Sequence, residues 1–82
     1  MHAVSNLTMY STVWCGYCRR LKAQLDRAGI GFHEVDIERD AAAAAFVAGA
    51  NGGYQTVPTV QLPDGLVLTN PTIDQITDAM PA

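Results

Sequence analysis

Cys15 and Cys18 are the only cysteines in the chain, and they stand with two residues between them at the point where one periodicity gives way to another. Before them, Leu7-Thr8-Met9-Tyr10-Ser11 reads as a short strand. From Cys18 onward, Leu21, Leu25 and Ala28 recur with it at helical spacing and draw a single apolar stripe. The pair therefore sits on a strand-to-helix turn, with Cys15 at the first position of the helix and Cys18 one turn inside it.

The rest of the chain follows the same alternation. Gly29 and Gly31 end the first helix, and Phe32 to Ile37 forms a second strand. Asp40 caps a second helix whose Ala41 to Ala45 run has the highest helix propensity available. Asn51-Gly52-Gly53 stops it. Thr59-Val60-Gln61-Leu62 and Leu66-Val67-Leu68-Thr69 read as strands joined by a Pro63-Asp64-Gly65 turn. Pro71 opens a last helix, with Ile73, Ile76 and Met80 on one face and either Asn70 or Thr72 as its cap. Thr72 has Gln75 three residues on, the capping-box spacing. The order is βαβαββα, which predicts an α/β domain. Its strand-helix-strand start demands parallel pairing and a right-handed crossover, and the hairpin adds an antiparallel edge. A four-stranded mixed sheet with three helices on its two faces accounts for residues 1–82 as one domain.

Composition narrows the function. Eight acidic against five basic residues give a formal charge of −3, which disfavours generic nucleic-acid binding. No apolar run approaches the ~20 residues of a membrane span. Met1-His2-Ala3-Val4-Ser5 shows no signal-peptide pattern, so a cytoplasmic location is expected. A reducing cytosol argues against Cys15–Cys18 as a structural staple, and a loop of about four residues would gain only roughly 2 kcal/mol from closure. Zinc needs about four ligands, and only His2 and His33 stand beside the two cysteines as soft donors, far apart. His33 reads as an ordinary strand-face residue. Redox chemistry remains.

The placement suits it. The first N–H groups of a helix lack intrahelical partners and can donate to a sulfur anion at the cap. The helix dipole contributes about 0.3–1 kcal/mol, so direct N–H bonds to the sulfur and nearby cations must add the rest. Four of the five basic residues, Arg19, Arg20, Lys22 and Arg27, fall in this helix. They read first as a solvated face. Cys18, on the apolar stripe, should be the more buried thiol with the higher pKa. Cys15 then attacks and Cys18 resolves, which requires the Cys15 sulfur to lie open to an incoming disulfide. Trp14 and Tyr17 flank the pair and read equally as core or as the rim of a substrate groove.

Trp14-Cys15-Gly16-Tyr17-Cys18, with Thr56-Val57-Pro58 some forty residues on, resembles the glutaredoxin class of the thioredoxin superfamily. Within that class, Glu34-Val35-Asp36-Ile37-Glu38, Asn51-Gly52-Gly53, Asp64-Gly65 and Leu68-Thr69-Asn70-Pro71 resemble the mycoredoxins, which serve the bacterial thiol mycothiol. The resemblance spans about Leu7 to Met80. It implies a thioredoxin/glutaredoxin fold and an enzyme that removes mycothiol from mixed disulfides. Cys15 would be the nucleophile and Cys18 the resolving cysteine. Pro58 would be in the cis form, exposing the Val57 backbone for pairing with substrate. Trp14, Gly16, Tyr17, Gln55, Thr56, Val57, Pro58, Thr69 and Asn70 would contact substrate. Mycothiol would be a co-substrate, with no tightly bound cofactor and no metal. Mycothiolated proteins and, indirectly, an NADPH-dependent mycothione reductase would be its partners, and the protein would act as a monomer.

Two positions depart from the wider class. Thr69-Asn70-Pro71 replaces the usual Gly-Gly-Xaa-Asp turn, and neutral Gln55 replaces a common basic residue. Both changes suit a hydroxyl-rich thiol better than one carrying carboxylates. A dithiol electron donor to ribonucleotide reductase and an iron–sulfur carrier, which Gly16 permits, are the competing readings.

Overall fold

The computed structural model describes residues 7–80, so the Met1–Ser5 reading and the His2 donor lie outside the described residues. The elements are β1 (Leu7–Ser11), α1 (Gly16–Arg27), β2 (Phe32–Asp36), α2 (Ala41–Ala50), β3 (Thr59–Gln61), β4 (Val67–Thr69) and α3 (Ile73–Ala79). One four-stranded sheet carries them in the order β2-β1-β3-β4. β1 pairs with β2 in parallel and with β3 antiparallel, and β3 pairs antiparallel with β4. The mixed sheet and the βαβαββα order are those expected.

Alternation along β1 divides the core. Leu7, Met9 and Ser11 are buried on one face, while Tyr10 turns to the other. On the first face α1 sets Cys18, Leu21 and Leu25 against Leu7, Met9, Val60, Leu62 and the Ile76 of α3. On the opposite face α2 inserts Ala43 and Val47 against Ile37. Its Phe46 packs on Tyr10, with ring centroids 5.2 Å apart. Burying a Leu or Ile side chain stabilises by about 1.5–3 kcal/mol, so α1 and α3 are held by their apolar stripes rather than by propensity.

Two helix ends differ from expectation in instructive ways. The stripe of α1 stops at Leu25, because Ala28 is the C-cap and is exposed. Gly29 takes φ +71° there, letting the Ile30 amide donate to Leu25 O at 2.9 Å and its own to Asp26 O at 3.1 Å. Pro71 does not open α3: it is buried just ahead of the N-cap, Thr72. Thr72 Oγ1 accepts from the Gln75 amide at 3.1 Å, and Gln75 Oε1 accepts from the Thr72 amide at 2.9 Å. Asn70 is therefore no cap. It sits in the left-handed region at φ 47°, where a short amide side chain is tolerated, and carries the chain from β4 into the helix. The hairpin closes through a bond from the Gly65 amide to Leu62 O at 2.9 Å, with Gly65 at φ +93°.

Candidate active site

The site lies where β1 ends and α1 begins. Thr12 to Trp14 turn the chain back so that the Cys15 amide donates to Thr12 O at 3.3 Å. Cys15 is the N-cap of α1, with extended backbone at φ −83° and ψ 111°. Its Sγ accepts from the Cys18 amide at 3.1 Å. The sulfur thus takes the place of the serine or aspartate oxygen that usually satisfies this orphan donor. Both thiols are free.

On exposure the expectation needs correction. Cys15 retains 5% of its surface, and Cys18 retains 1%. The first cysteine is buried because a capping side chain folds back over the helix end, and because the Val57 carbonyl closes on it, 3.8 Å from Sγ. Its neighbours carry the exposure instead: Val13, Trp14, Gly16 and Tyr17 all face solvent.

Of the two thiols Cys18 is the more deeply buried. Burial pushes the Cys18 thiol from its ordinary 9.0 up to about 12, the hydrogen bond with Cys15 and the nearby Cys15 and Glu34 charges adding to it, against a backbone bond at Thr12. Cys18 keeps its proton at neutral pH.

Across from Cys15 stands the loop before β3. Val57–Pro58 is a cis peptide bond, with Val57 half-buried and Pro58 buried. Asn70 donates its amide to Pro58 O at 2.7 Å, which ties this loop to the turn after β4. Tyr17, Pro58 and Asn70 then line one groove of about 270 Å³ together with Arg20, Gln24 and Thr72. Tyr17 is 67% exposed and Trp14 65%, so neither belongs to the core, and Tyr17 lines this groove. Trp14 lies away from that groove, its Nε1–H donating to Glu38 Oε2 at 3.1 Å. Gln55 is exposed and Thr56 half-buried, on the approach to Val57. Thr69 is exposed, and its hydroxyl donates to Asn51 Oδ1. Of the cations, Arg19 donates to Val13 O at 3.1 Å and Lys22 pairs with Glu34 at 3.2 Å, while Arg20 faces the groove.

The sequence reading missed two residues that organise this loop. In the sequence Asn51 reads as the stop of α2 and Thr59 as the start of a strand, each within a segment that carries the family resemblance but neither with a role in this loop. Asn51 Nδ2 donates to Val47 O at 2.7 Å and to Thr59 Oγ1 at 3.3 Å, and Thr59 Oγ1 donates to Thr56 O at 2.7 Å. The available signal was an amide, able to donate and accept at once, placed at a helix end where Gly alone would have served.

A cysteine thiol capping a helix, a second buried thiol one turn on, and a cis-proline loop facing both on a β2-β1-β3-β4 sheet define a redoxin of the thioredoxin superfamily. The glutaredoxin family model matches residues 7–67, and the chain belongs to the glutaredoxin family of thiol oxidoreductases. A relative from Mycobacterium tuberculosis, whose name places it among the glutaredoxins, is 56% identical over 70 residues, covering 85% of this chain and 83% of the relative. Mycoredoxin 1 of Corynebacterium glutamicum is 40% identical over 73 residues, covering 89% of this chain and 90% of its own. The structure of NrdH-redoxin from Escherichia coli superposes with a TM-score of 0.76 at 26% identity, covering 94% and 97% of the two chains. Among the described residues no helix is long and apolar enough to cross a membrane.

Proposed function

We propose that this protein reduces protein–mycothiol mixed disulfides, with mycothiol as the electron donor and Cys15 as the sole essential thiol. The Cys15 thiolate attacks the mycothiol sulfur of the mixed disulfide. The S–S bond breaks, the protein thiolate departs and takes a proton from water. A mycothiol thiolate then attacks the mycothiol sulfur now bonded to Cys15, giving mycothione and restoring the Cys15 thiolate. A separate NADPH-dependent mycothione reductase returns the oxidised thiol to use. Closure of a Cys15–Cys18 disulfide is a side branch, slowed by the proton that Cys18 retains.

The observation that carries this reading is the 40% identity to Mycoredoxin 1 along 89% of the chain. The groove fits it. Tyr17 offers a ring face for a sugar to lie on, and Gln24, Asn70 and Thr72 offer paired donors and acceptors for hydroxyls. Exposed Gln55 places an uncharged amide beside the Val57 edge. Reaction occurs in the cytoplasm, by a monomer.

A second reading draws on NrdH-redoxin, described as glutaredoxin-like with a thioredoxin-like activity profile, at a TM-score of 0.76. On that reading Cys18 acts in every turnover, and thioredoxin reductase supplies the electrons that pass to ribonucleotide reductase. One assay separates the two. A peptide mixed disulfide is offered to the protein with mycothiol, with glutathione, and with thioredoxin reductase plus NADPH. Turnover with mycothiol at least about tenfold above glutathione is expected. Equal rates with both thiols, or rapid reduction by thioredoxin reductase alone, would overturn the proposal.

A further inference from the structure

Asn51 lies at the C-cap of α2 and does not line the groove beside Tyr17, yet all three of its side-chain hydrogen bonds run to different parts of the site's frame. Nδ2 reaches Val47 O in α2 at 2.7 Å and Thr59 Oγ1 in β3 at 3.3 Å. Oδ1 accepts the hydroxyl of Thr69, at the end of β4. Thr59 is fully buried, and its hydroxyl passes the restraint on to Thr56 O at 2.7 Å. Two walls result. One is the Thr56-Val57-Pro58 segment, whose Val57 carbonyl stands 3.8 Å from Cys15 Sγ. The other is the Thr69-Asn70 turn, whose Asn70 amide meets Pro58 O at 2.7 Å and which borders the groove beside Tyr17.

We propose that Asn51 is a positioning residue that fixes the spacing between these two walls, and so sets how tightly a disulfide substrate is held in front of Cys15. Thr59 and Thr69 are its two arms. This rests on the assignment of the site to thiol–disulfide exchange, and not on which thiol the groove takes. An amide is required because the position must donate twice and accept once; an aspartate would place a second acceptor against Val47 O. Glycine, the usual helix terminator, would supply none of the three bonds.

The test is a double-mutant cycle of Asn51→Ala and Thr69→Val, read with a peptide mixed disulfide and with iodoacetamide. Thr69 is exposed, so its replacement leaves the fold intact even if Asn51→Ala destabilises it. Each single variant should raise KM for the mixed disulfide by about five- to tenfold, and the double variant by no more than the larger single effect. Thr69→Ser, which keeps the hydroxyl, should restore the wild-type KM. The rate of Cys15 alkylation by iodoacetamide, which needs no bound peptide, should not fall in Asn51→Ala, because loosening the Val57 wall uncovers the sulfur rather than disabling it. Multiplying single effects in the double variant would mean that Thr69 meets the substrate directly, and would overturn the proposal. So would an unchanged KM in both singles. If turnover with every donor thiol is absent in the wild type, the exchange assignment falls; if turnover is present but the cycle shows no coupling, only the role of Asn51 falls.

Discussion

The amide of Cys18 donates to the sulfur of Cys15 at 3.1 Å, so the two cysteines are bonded to one another while both are reduced. The bond uses the backbone of one and the side chain of the other. It stabilises electron density on Cys15 and leaves the Cys18 thiol buried and protonated, a division that follows from a three-residue offset at a helix start.

Serine at position 15 keeps the cap but removes the nucleophile. Cys15→Ser should fold normally and lose essentially all turnover, by at least about a thousandfold. Cys18→Ser should retain most of it, within about threefold, under the monothiol scheme. Steady-state reduction of a mixed-disulfide peptide measures both. Complete loss in Cys18→Ser would require the resolving thiol in every cycle.

Alkaline pH should weaken the reduced fold through Cys18. Its thiol is raised from 9.0 to about 12, so between those values the unfolded chain sheds a proton that the folded one keeps. The contribution is fully present below pH 9.0 and is lost as pH rises toward about 12. The slope is at most about 1.4 kcal/mol per pH unit. Thermal melts from pH 8 to 11 should show a steeper decline for the wild type than for Cys18→Ala. Parallel curves would contradict the burial of this thiol.

The last helix offers a test of which residue caps it. Thr72→Ala should lower stability by about 1 kcal/mol, because the reciprocal bonds with Gln75 go with the hydroxyl. Asn70→Gly should be nearly neutral, since φ 47° suits glycine, whereas Asn70→Val should cost about 1–2 kcal/mol. Urea titrations rank the three. Equal losses in Thr72→Ala and Asn70→Gly would return the cap to Asn70.

Trp14 is the single tryptophan, and it reports on its own tether. Glu38→Ala removes the carboxylate that receives the indole N–H. Stability should stay within about 0.5 kcal/mol, as for other exposed changes. Fluorescence anisotropy should fall as the ring gains freedom. Unchanged anisotropy would mean that packing, not Glu38, holds the indole.

Much of this could be read from the chain because local and global preferences agree. The apolar spacing of Leu21 and Leu25, the Asp40 cap and the Asp64-Gly65 turn each allow one structure, and the strand order follows from chirality once the elements are known. The cysteine spacing gave away the chemistry of the turn. What stayed hidden depends on tertiary closure. No spacing rule says that Val57 O comes to rest near Cys15 Sγ and shuts its sulfur in, or that Asn51 reaches across to Thr69. The cap of α3 is ambiguous in the sequence because Asn70 and Thr72 are both good cap residues, and the reciprocal bonds of Thr72 with Gln75 and the positive φ of Asn70 separate them.

The sulfur of Cys15 is also the group that caps α1, so a covalent adduct on it would withdraw electron density from the contact that closes the helix. On the proposed scheme the cycle carries a mechanical signature: the first turn should loosen while the adduct persists and tighten when Cys15 itself leaves as the thiolate. Release of the adduct would then be favoured by the backbone's recovery of its own terminus.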